Sequence, residues 1–189
     1  DSRLYAMTLP RDSWNHSSAL DLSFIRSIVA VHRLREVSCL YGFTRFESAP
    51  TLDDELDEIA LAVSGAPLGK SFDWLPAIEQ FGEGVFLQFD SDVIEAWLEK
   101  GAVKKRKAQL LGGFKSWQEE GGRNPKFKFP GIPYVLLHTL AHALMLELAL
   151  ESGYPASSVK ERIYAIREGT GAASQHRLGV LIYAASTGA

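Results

Sequence analysis

The run from Tyr134 to Leu150 constrains this chain more than any other feature, because only His138, Thr139, His142 and Glu147 interrupt its apolar residues. Pro130 and Pro133 precede it and Gly153 and Pro155 follow, the ordinary punctuation of a helix, so the pattern predicts a helix from Tyr134 to about Glu151. Leu136, Leu137, Leu140, Leu144 and Leu148 recur at helical spacings, with Ala141, Met145 and Ala149 beside them. A helix apolar nearly all round belongs at the centre of a core. The run is shorter than the roughly 20 apolar residues of a membrane span, and no transmembrane helix or membrane partner is expected.

With 189 residues, 46% of them hydrophobic, the chain can bury a core of its own, and a single domain over 1–189 is expected. Leu4 to Leu9, ending at Pro10, suits a short strand, and Gly84-Val85-Phe86-Leu87-Gln88-Phe89 a second. Asp90 or Ser91 can then cap a helix whose apolar stripe is Val93, Ile94, Trp97 and Leu98. Leu34, Val37 and Leu40 to Tyr41 are spaced by three and four, with Gly42 as a C-cap, which favours a helix there. Gly112-Gly113 and Gly121-Gly122 read as breaks, and Ser157 or Ser158 as the cap of a short helix holding Val159, Ile163 and Tyr164. Leu178 to Ala184 is almost wholly apolar, as an interior strand would be. The expected class is α+β or α/β, with a mixed sheet packed against the central apolar helix. The acidic stretch at 51–66 reads as a solvated insertion. A start at Asp1 and an end soon after the last strand suggest a fragment of a larger protein.

The single Cys39 cannot close an internal disulfide, and without a secretory signal pattern the expected compartment is the cytoplasm. No GxxxxGK[ST] or GxSxG pattern occurs, so neither a phosphate loop nor a nucleophile elbow is expected. Net charge is −3, yet Lys100 to Lys128 holds nine basic residues against Glu119 and Glu120. Lys104, Lys105, Arg106, Lys107, Lys115, Lys126 and Lys128, with Phe127 and Phe129 among them, combine cations for a phosphate backbone with rings on which bases stack. A solvated helix followed by a strand with Lys126 and Lys128 outward explains the same residues equally well. Arg33, Arg35 and Arg45 are expected in ion pairs with acids such as Glu36 or Glu161.

His138 and His142 lie four residues apart, about 40° around a helix, which lets both reach one metal ion. Thr139 occupies the place where zinc peptidases carry a glutamate, so that reaction is disfavoured, and Glu147 points away from His142. Any third ligand would come from elsewhere, with Cys39, His32 and His176 as the candidates. The alternative is a pair of histidines that pack and hydrogen-bond within the core.

His32-Arg33-Leu34-Arg35-Glu36-Val37, Gly42-Phe43-Thr44-Arg45, Gly82-Glu83-Gly84-Val85-Phe86-Leu87, His138-Thr139-Leu140-Ala141-His142-Ala143-Leu144, Glu161-Arg162-Ile163-Tyr164 and Gly179-Val180-Leu181-Ile182-Tyr183 together resemble the helicase-associated domain of DrmB-type proteins of the DISARM anti-phage defence system. The resemblance implies a non-ATPase partner of a superfamily-two helicase subunit acting on phage DNA, and together with the basic window, which suits single-stranded DNA, it makes a non-catalytic DNA-interacting domain the expected function. It implies no cofactor in this stretch, with zinc a feature of cysteine-containing segments elsewhere in the parent protein. The rival readings are a metal-dependent hydrolase or nuclease using His138 and His142, and a structural interaction module.

Overall fold

The computed structural model describes residues 4–14, 21–40, 42–44, 66–69, 73–120, 128–153, 155, 158–168 and 175–186. Five strands form one sheet in the spatial order β1 (Tyr5–Thr8), β2 (Ile25–Cys39), β5 (Ala77–Phe89), β7 (Gln175–Ser186), β6 (Val159–Glu168). Two short strands, β3 (Gly42–Phe43) and β4 (Ala66–Pro67), pair separately. Each described strand pair is antiparallel, so the α+β alternative holds while the expected mixed sheet does not. The helices α1 (Ser91–Leu98), α2 (Gly101–Glu119) and α3 (Ile132–Ser152) come between β5 and β6.

Two expected helices are strands. Leu34 and Val37 lie on β2 in regular register with β5, opposite Gly82 and Glu79, and the spacing of three that suggested a helix joins a half-buried Leu34 to exposed Val37 and Leu40. Exposed apolar residues on a strand carry no face, so their spacing in sequence is no guide to a helix. Val159, Ile163 and Tyr164 lie on β6, paired with β7 from Val159 to Glu168. The alternation Val159, Glu161, Ile163, Ala165 was a period of two. Gly112 and Gly113 also fail as breaks, since both lie inside α2, where a Cβ would meet nothing within 4 Å.

The core lies between one face of the sheet and the helices α1 and α3. Phe89, Leu178, Val180, Ile182 and Val159 from the strands meet Ile94 of α1 and Leu137, Ala141 and Ala149 of α3. Asp90 caps α1 as expected, its carboxylate accepting from the backbone N–H groups of Asp92 and Val93 at 3.1 Å each. Pro133 occupies the first turn of α3, and Gly153 closes it in the left-handed region (φ 74°), donating its N–H to the carbonyl of Ala149. β7, the expected interior strand, pairs with β5 on one side and β6 on the other.

The long helix is less central than its sequence suggests. Leu137 and Ala141 are wholly buried against the sheet, whereas Leu146, Leu148 and Leu150 are exposed. As a helix it reaches the length and composition of a membrane span, 20 residues of mean hydropathy 1.4 over Ile132–Glu151, figures that a helix packed on a sheet also meets. The helix starts at Ile132, two residues ahead of the expected Tyr134, and those residues bring it to that length.

Candidate functional site

α2 carries most of the basic window and spends little of itself on packing. None of its residues is buried, and Lys104, Lys105, Arg106, Lys107 and Lys115 are all exposed. At 100° per residue, Lys100, Lys104, Lys107 and Lys115 fall within an arc of about 80°. Val103, Leu110 and Phe114, on the neighbouring arc, are half-buried. Phe114 packs against Trp117 and Phe129, with ring centroids 5.7 and 5.9 Å away. Phe129 thus holds the segment ahead of α3 against α2, and Lys128 beside it is exposed. Lys126 and Phe127 lie outside the described residues, as do Arg45 and most of the acidic stretch 51–66.

Lys104 is the one member of the basic group with a short ion pair among the described residues, its Nζ donating to Glu99 at 2.6 Å. The ammonium holds the Glu99 carboxyl below its ordinary pKa, and the charge of Lys107 adds to the effect.

A second group of side chains lies where α3 crosses β6. His138 and His142, one turn apart, both face the sheet, their rings edge to face with centroids 4.4 Å apart. The third member is Glu161, which stands on the helix-facing side of β6 between Val159 and Ile163. His138 Nδ1 lies 2.8 Å and His142 Nε2 3.4 Å from the same oxygen, Oε1 of Glu161. Tyr134 stacks on His138 from the preceding turn, at 5.9 Å between centroids.

The Glu161 side chain is only 9% exposed, and its other oxygen, Oε2, is buried without a hydrogen-bond partner. Nδ1 of His138 is likewise buried outside hydrogen-bond geometry, despite its short distance to Oε1. One donor atom from each of the three residues comes within 4.8 Å of the others. Two of the expected third ligands are elsewhere: exposed Cys39 ends β2, and the ring of His32 lies tilted against Tyr5 toward the far edge of the sheet. The side chain of His176 lies outside the described set.

The expected arginine pairs are redistributed. Arg35 pairs with Glu79 on β5, while Glu36 accepts from Lys160 Nζ at 2.8 Å and from the Tyr183 hydroxyl at 2.9 Å.

Together these features define an α+β domain, an antiparallel sheet with helices on one face, carrying an exposed basic helix and a half-enclosed His-His-Glu cluster. No family model matches the chain. It is similar to the DISARM protein DrmB of Bacillus paralicheniformis, with 36% identity over 166 residues that make up 87% of this chain. Over those residues the chain is of DrmB type, in agreement with the resemblance carried by its motifs. It spans about a quarter (27%) of the length of that relative.

Proposed function

We propose that this domain belongs to the anti-phage defence machinery of the DISARM system and contacts DNA there through α2, without catalysis of its own. The observation that carries the reading is the exposure of Lys104, Lys105, Arg106, Lys107 and Lys115 on a helix with no buried residue, in a chain of net charge −3. Clustered cations repel one another, and the packing of α2, which buries none of its residues, offsets little of that cost. Phosphates supply the missing counter-charge, with release of condensed cations as the driving force. Similarity to a DISARM protein supports the defence setting. Action beside a superfamily-two helicase subunit in a bacterial cytoplasm belongs to the same proposal, and co-purification of that subunit with the parent protein tests it.

Fluorescence anisotropy with a labelled single-stranded oligonucleotide tests the DNA contact. Replacing Lys104, Lys105, Arg106 and Lys107 together by Gln should weaken binding about tenfold or more at low salt. The four side chains are exposed, so the variant should keep its fold and its circular dichroism spectrum. Equal affinity in parent and variant would overturn the reading and leave α2 as a docking surface for a protein.

A further inference from the structure

We propose that His138, His142 and Glu161 bind a divalent metal ion of zinc type, which ties the first half of α3 to strand β6. The inference is independent of the reading of α2. It starts from an unsatisfied carboxylate. A buried carboxylate is tolerated when its lone pairs are hydrogen-bonded or coordinated, and Glu161 has one oxygen with no partner and another approached only by two imidazole nitrogens. Nδ1 of His138, 2.8 Å from Oε1, is not aligned for an N–H···O bond. Pairing within the cluster therefore leaves two buried polar atoms unspent; a cation held by Nδ1 and Oε1 coordinates the first directly and neutralises the carboxylate that carries the second.

The spacing agrees with that role. Donors about 2.0–2.2 Å from a tetrahedral zinc ion stand about 3.4 Å from one another. His142 Nε2 and Glu161 Oε1 are already 3.4 Å apart, and the 2.8 Å between His138 Nδ1 and the same oxygen needs to open by about half an ångström. Two imidazoles and one carboxylate suit zinc better than the hard cations, which prefer all-oxygen shells. His142 is 61% exposed, so the fourth position faces solvent and would hold a water. The rigid parts are in place as well: i, i+4 spacing sets the two rings, Tyr134 stacks on the first, and the β6–β7 ladder fixes the backbone of Glu161 opposite Ile182.

The test uses the 189-residue chain stripped of metal and titrated with Zn²⁺ alone against a chromophoric chelator, with Co²⁺ as a spectroscopic reporter. The expected result is one equivalent of Zn²⁺ per chain and the visible d–d bands of tetrahedral Co²⁺. Both should be lost in His142→Ala and in Glu161→Gln. The ring of His142 lies mostly in solvent, so that variant keeps the packed face of α3, and an unchanged circular dichroism spectrum separates lost coordination from lost folding. Absence of stoichiometric uptake by the parent chain, or uptake retained by either variant, would overturn the proposal.

Discussion

Glu36 reaches across the back of the sheet from β2, over β5, to Tyr183 on β7 and to the long side chain of Lys160 on β6 beyond it. Gly82 and Gly84 on β5 leave that path open, since they present no side chain beneath it. Burial raises the pKa of the Glu36 carboxyl, but hydrogen bonds from Lys160 and Tyr183 and the charges of Lys160 and Arg162 outweigh it, and the net shift is downward from 4.5. A carboxylate depressed on folding stabilises the native state above its ordinary pKa, and that contribution is lost as the pH falls through the lower, folded value. Urea melts along a descending pH series below 4.5 should therefore show Glu36→Gln losing stability less steeply than the parent. Parallel curves would contradict the assignment. Glu161 shows the other side of reading single residues: its neighbours Val159, Ile163 and Ala165 alternate with it toward the helices, so a strand reading of this segment would have placed a lone carboxylate on an apolar face. Read as part of a helix, it could only be grouped with nearby arginines. The two histidines were found because their spacing is local, whereas their third partner comes from another element.

Among the elements, those with strong local punctuation were readable in advance. α1 has its Asp90 cap, α3 its Pro133 and Gly153, and β7 an unbroken apolar run. β2 and β6 are hard to read in advance because exposed apolar residues on β2 and a carboxylate on the core face of β6 blur the period of two, and because strand pairing depends on partners far away in sequence. β5 and β7 are held close by Gly84, where an added Cβ would collide with the backbone carbonyl oxygen of Ile182 and the Cβ of Tyr183. Backbone in an interior ladder cannot yield as a flexible side chain does, so Gly84→Ala should cost about 1–3 kcal/mol in chemical denaturation. A neutral result would show that the ladder relaxes locally. On α3, the fully buried Leu137 is the anchor, and Leu137→Ala should cost about 2–5 kcal/mol. Exposed Leu150, 71% accessible, should tolerate the same change within about 0.5 kcal/mol. Similar losses at both positions would mean that both faces of α3 are covered.

Taken whole, the domain separates two kinds of charge. Two acidic groups on the sheet are matched internally, Glu36 by Lys160 and Tyr183 and Glu79 by Arg35, whereas Glu161 is left with a buried oxygen that has no partner. The cations of α2 are displayed on an exposed helix whose chief neighbour among the elements is α1. A local positive surface on a molecule of net charge −3 orients a polyanion and confines its contact to one face. The basic window was visible in the sequence, since nine cations against two acids need no fold to be counted. Their presentation was not, because the same composition fits a helix that buries its aromatic side. Phe114 and Phe129 do pack on each other, which leaves the exposed cations of α2 as the main means of contact. The salt dependence of oligonucleotide binding tests this most directly. The slope of log K against log salt should be negative, and it should become shallower by about 0.7 for each cation removed, or about 3 in all for the variant lacking Lys104, Lys105, Arg106 and Lys107. The same slope in parent and variant would contradict the account.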